Sequence, residues 1–134
     1  MSEEADRPAF YALESGGWRD YWTLLHPPYT LWHLSYVAIG AAVAPRVHVG
    51  WLVETLVAFF LAMGISAHAL DELHGRPLRT RIPDGVLRAL AVAGLAGAIA
   101  LGVHGAFEVT PWIWALIVVG AVLVVAYNLE LGGG

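Results

Sequence analysis

The densest run of groups capable of chemistry in this chain is Ala67-His68-Ala69-Leu70-Asp71-Glu72-Leu73-His74-Gly75-Arg76-Pro77-Leu78-Arg79-Thr80-Arg81. On a helix continuing through Glu72, Asp71 falls about 60° to one side of His68 and Glu72 about 40° to the other. All three then share one face, with arginines a few residues on. Carboxylates beside arginines suit a diphosphate: the acids hold Mg²⁺ through oxygen, and guanidinium forks take phosphate oxygens. Asp71 and Glu72 are therefore the candidate catalytic and metal-holding residues. His68, His74, Arg76, Arg79 and Arg81 are the candidate substrate contacts. The plainer alternative is a solvated helix end whose charges pair and anchor the chain at lipid headgroups.

A second constellation lies upstream. His26, Tyr29, His33, Tyr36 and Gly40 share one helical face, and such a stripe belongs toward a bundle interior rather than toward lipid. His33 and Tyr36 are the candidates to line a chamber for an aromatic or polar head; interfacial anchoring is the alternative. The six histidines also admit a b-type haem or a quinone between helices, with His33 and His68 at similar depth. Glu54 lies in the opposite leaflet from His68 and is either a proton-handling group or satisfied at the interface. No Ser/His/Asp elbow, glycine-rich phosphate loop or HExxH occurs, and the absence of Cys excludes thiolate catalysis and Cys metal sites.

These groups need elements to position them. Of the 134 residues, 58% are hydrophobic and 13% charged, with seven arginines and no lysine. A soluble domain carries about 25% charged residues, so this one belongs in a membrane. No basic face of the kind that neutralises nucleic-acid phosphates is present. Apolar stretches over 29–44, 50–70, 86–107 and 111–127 predict four transmembrane helices. The expected fold is an all-α integral membrane bundle over 21–134, preceded by a flexible acidic tail over 1–20. Asp84 and Thr110-Pro111 are expected to cap the third and fourth helices, and Gly132, Gly133 and Gly134 to end the last. Six arginines flank spans one, two and three on one side and only Arg46 lies on the other. By the positive-inside rule both termini and the 71–85 loop are cytoplasmic, in a multi-pass cell-membrane protein. Ala93-x-x-x-Gly97 and Gly94-x-x-x-Ala98 predict close helix packing, within the bundle or at a dimer seam.

Leu25-His26-Pro27-Pro28-Tyr29-Thr30, the Arg76-Pro77-Leu78 loop and Tyr127 together resemble the UbiA-type intramembrane prenyltransferases. The resemblance runs from about residue 20 onward and corresponds to the first four of that family's nine helices. It implies prenyl transfer from an isoprenyl diphosphate to an aromatic or lipid acceptor, with Mg²⁺ held by N-D-x-x-D-x-x-x-D. Asp71 takes that motif's middle Asp; Ala67 and His68 stand at Asn-Asp, and Gly75 at the last Asp. The family's second Asp-rich motif belongs to later helices. Completing a chamber then requires a second copy or a partner membrane subunit. A non-catalytic small subunit of a larger membrane complex is the competing expectation.

Overall fold

The computed structural model describes residues 7–132, with side chains as far as Tyr127. The chain is all-helical, with no strand among the described residues: α1 (Trp18–Leu25), α2 (Pro27–Val43), α3 (Val49–Leu73), α4 (Asp84–Glu108) and α5 (Ile113–Gly132). Two of these, α3 and α4, are long and apolar enough to cross a membrane, each with 25 residues. At about 1.5 Å per residue, either exceeds a hydrocarbon core of about 30 Å. A shorter apolar helix covers Ile113–Tyr127.

The helices pack α2 on α3, α3 on α4 and α4 on α5. Backbones come close where side chains are small. A Cβ on Gly94 would sit 2.7 Å from the Leu61 carbonyl oxygen, and one on Gly102 2.9 Å from Ile117. Ser66, fully buried, donates its hydroxyl to the Ala91 carbonyl at 2.7 Å. The small-residue stripe of α4 thus serves packing inside the bundle at Gly94, Gly97 and Gly102.

Between Phe60 and Ala67 α3 widens into a π-helical segment before α geometry resumes at His68. Such segments carry poorer hydrogen-bond geometry and concentrate at functional sites. This one leads directly into the run that contains Asp71.

Large apolar side chains face outward along most of the molecule, among them Val92, Leu116, Val118 and Leu123. Water would make that surface an aggregation patch. The buried apolar cluster is small and lies at one end: Leu24, Ala69, Ile82, Leu87 and Ala91, with Leu70, Leu73 and Leu90 against it. Burying apolar surface stabilises where water is the alternative, and this cluster lies at the end where α1 and the 74–83 loop pack on the helix ends.

Several local expectations change. The first six residues of the expected tail lie outside the described residues, but positions 7–20 are not a free tail. Ala12 and Asp20 are buried, and α1 begins within the segment. Asp20 has a structural reason to be held: its two carboxylate oxygens accept from Gly16 N–H and Arg81 N–H, each at 3.0 Å. Asp84 is the first residue of α4 and Pro83 its N-cap; the Asp84 carboxylate pairs with Arg76 instead of capping. The last helix starts at Ile113, after a turn in which Thr110 O accepts from Ile113 N–H, and runs through Gly132.

Candidate functional site at the polar end

Segment 7–26, the last turns of α3, the 74–83 loop and the start of α4 meet at one end of the bundle. The loop is built on Glu72. This side chain is fully buried. Its Oε1 accepts from the Thr80 N–H and hydroxyl, both at 2.8 Å, and Oε2 accepts from Leu78 N–H at 2.9 Å. Arg76 closes the same loop from the other side: it donates to the Ile82 carbonyl at 2.5 Å and pairs with Asp84. Three donors on a buried carboxylate are worth far more made than broken. Two expectations are corrected here. Glu72 is not presented to a metal ion, because loop donors occupy both oxygens; Arg76 is not presented to a phosphate, because carbonyl and carboxylate groups hold it.

Asp71, one residue earlier, points elsewhere. It is half-buried and its charge interacts with His74 and His26. His26 stacks on His68, ring centroids 5.1 Å apart, and Tyr11 from the N-terminal segment lies on His26 at 4.5 Å. Tyr29 meets His26 edge-on at 4.5 Å and continues to His33 at 6.3 Å. His33, His68 and His74 each bond through Nδ1 to the carbonyl four residues back, at 2.8, 3.0 and 2.8 Å. A carbonyl only accepts, so each Nδ1 carries the proton and each Nε2 is left as an acceptor. His74 and Tyr36 are exposed, and Arg79 and Arg81 sit on the outer side of the loop. Of the expected substrate contacts, His68 is therefore in the cluster with Asp71, and His33 borders it along α2.

Tyr11 and His26 are the functional candidates that spacing alone missed or undervalued. Tyr11 Oη and His26 Nδ1 are buried and have no hydrogen-bond partner, an arrangement that costs free energy unless a ligand or water completes it. Burial pushes the Tyr11 phenol up to about 12, helped by Tyr29 and by the Glu72 charge. Burial also lowers His26, as does His68 beside it, while the polarity of its own backbone and the Asp71 charge oppose the shift. Both rings are neutral at pH 7. No sequence signal marks Tyr11, which reaches the site only because Leu13 N–H bonds the Thr23 hydroxyl at 3.0 Å and pins the segment across α1.

Among the described residues, His26, Arg76 and Arg79 are the non-glycine residues with positive φ, near 52°, 55° and 55°, and all three are at this end. Each such conformation costs about 1 kcal/mol, and strain of this kind clusters where a site must be shaped.

Among the described residues no group of three or more His, Asp or Glu side chains is placed to hold a metal ion. A two-carboxylate Mg²⁺ clamp from Asp71 and Glu72 does not fit. His68, expected to share a haem with His33, stacks on His26 with the two rings 20° from parallel. Comparison with known proteins finds no family model, no curated protein and no solved structure that matches this chain.

Proposed function

We propose that this is a multi-pass membrane protein of UbiA-like type whose four longer helices cross the bilayer. Both termini and the 74–83 loop lie on the cytoplasmic side, and the polar end receives an isoprenoid amphiphile. The observation that carries this reading is the convergence of Asp71, His68, His26 and Tyr11, with two orphaned polar atoms, at one end of an otherwise apolar surface. The amphiphile's apolar chain would lie along the bundle, and its head would meet the cluster. Asp71 is the residue that would hold Mg²⁺, as a single carboxylate alongside diphosphate oxygens and water. The ion's contribution there would be to neutralise charge on a leaving diphosphate. Tyr11 Oη would donate a hydrogen bond to a diphosphate oxygen, His68 Nε2 would accept one from a water beside the head, and the stacked rings would keep bulk water from it.

The test is photolabelling of the full chain in lipid nanodiscs with a diazirine geranylgeranyl diphosphate. Labelling should map to peptides bearing His26 or His68, require Mg²⁺, and fall at least tenfold in Asp71→Ala. Labelling that ignores both Mg²⁺ and Asp71 would sink the proposal.

One observation favours a partner as well. Glu54 and His104 pair at 2.5 Å between α3 and α4, and the His104 side chain is 61% exposed. Ionisable groups within spans face protein or water rather than lipid. We infer that another membrane segment, from a second copy or a separate subunit, covers this pair. Purification in mild detergent should yield a complex larger than one chain, and His104→Leu should weaken it.

A further inference from the structure

The polar end is not the only place where the molecule can take a ligand. At the opposite end, where α2 turns into α3, a groove of 280 Å³ is lined by Val37, Ala41, Arg46, Val47, His48, Trp51, Leu52 and Thr55. Its chemistry is divided along its length. Val37 and Ala41 lie one turn apart on α2 and face Leu52 of α3, making an apolar slot. Arg46 and His48 stand at its mouth on the connecting segment, and both are exposed. The His48 ring packs on Trp51 with centroids 4.1 Å apart, which holds the imidazole at the rim. Arg46 forms no ion pair with the described residues, whereas Arg19 pairs with Glu14 and Arg76 with Asp84.

A lone guanidinium over an apolar slot, at the level where interfacial tryptophans sit, matches one class of ligand. We propose that this groove binds a glycerophospholipid with an anionic headgroup, its phosphate on Arg46 and His48 and the start of an acyl chain between Val37, Ala41 and Leu52. Guanidinium suits phosphate by its planar fork of donors, and His48 adds a ring N–H. The slot can take several methylene groups, each contributing about 0.8 kcal/mol when drawn from water but little when drawn from lipid. Selectivity therefore resides in the headgroup, and the chain fixes only where the headgroup sits. This site is independent of the isoprenoid reading, sharing no residue with it.

Native mass spectrometry of the detergent-released full chain, titrated with phosphatidylglycerol or phosphatidylcholine, tests the proposal. Phosphatidylglycerol should bind more tightly, and Arg46→Gln should weaken it about fivefold, as one basic residue at a membrane surface does. Arg46→Lys should keep most of the binding, and Ala41→Phe, which fills the slot, should displace both lipids. Circular dichroism checks that each variant is folded. Because Arg46 is exposed and on a connecting segment, Arg46→Gln remains informative if Ala41→Phe does not fold. Equal binding of the two lipids, or no loss in Arg46→Gln, would overturn the assignment. Saturation of the site by glycerol phosphate, with no need for an acyl chain, would overturn it in favour of a soluble anion.

Discussion

Glu72 shows at the residue scale how an acid in the right place can have the wrong job. Its position beside Asp71, near a run of arginines, is legible in the sequence. Its burial is not, because that depends on a loop folding back so that Leu78 and Thr80 present their donors to it. Glu72→Gln keeps the shape but sets an amide NH₂ against one of those donors. It should cost about 1–3 kcal/mol, read as a lower unfolding midpoint and faster hydrogen exchange in the 74–83 loop, with unchanged Mg²⁺ affinity. Asp71→Asn should give the reverse pattern: stability kept and Mg²⁺-dependent ligand binding lost. His26 and Tyr11 bound a pH window. His26 is depressed in the folded state, so its unfolded form takes a proton first, and stability falls as pH drops below the ordinary histidine value of about 6.5. Tyr11 is raised, so its unfolded form ionises first, and stability falls as pH climbs from about 10 to about 12. Thermal unfolding across pH should show both edges. His26→Phe should shrink the acid edge, and Tyr11→Phe should remove the alkaline one.

Helix positions were the most legible part of the element scale. The apolar stretches 29–44, 50–70, 86–107 and 111–127 coincide with the helices α2, α3, α4 and α5, of which α3 and α4 are long and apolar enough to cross a membrane, because apolar runs bounded by Pro and polar loops specify helices directly. The short α1 was not read, because Trp18, Tyr21 and Trp22 face outward while Asp20, Thr23 and Leu24 are buried. That inverts the pattern of a helix on a soluble core and suits an aromatic face in a headgroup layer. The π segment was equally invisible, since periodicity arguments assume one turn length throughout. On either side of the segment Glu54 meets His104 and His68 meets His26. Packing of α3 on α4 gives a sharp test. Gly94→Ala would press a methyl against the Leu61 carbonyl, and overpacking of this kind costs about 1–3 kcal/mol. Gly40→Ala, inside α2, meets nothing within 4 Å and should raise the unfolding midpoint slightly, by up to about 1 kcal/mol of helix propensity.

For the whole molecule, the scarcity of charge agrees with two helices long and apolar enough to cross a membrane, and much of that charge gathers at the end where Asp71, His68, His26 and Tyr11 meet. What composition could not give was the third partner in that assembly. Residues 7–17 cross over the helix ends because Asp20 ties them to Arg81 across 61 positions of sequence. The chain has no Cys, so single-cysteine variants report topology cleanly. In sealed, cytoplasm-in cells a membrane-impermeant maleimide should label Val47→Cys and spare Arg79→Cys, and inverted vesicles should exchange the two. Protein isolated from haem-replete cells should show no Soret band.

The widened turn at Phe60–Ala67 has one more consequence, for what the gene can tolerate. A helix that has taken in extra chain has slack that an unbroken α-helix lacks. Deleting one codon between Phe60 and Ala67 would let i→i+5 bonding relax toward i→i+4 without shortening the wall. Deletion elsewhere in α3 or α4 would shift every later contact. This segment is therefore where α3 has a residue to spare, and the cost would fall on the orientation of His68 and Asp71 and on the contacts of Leu61 and Ser66 with α4.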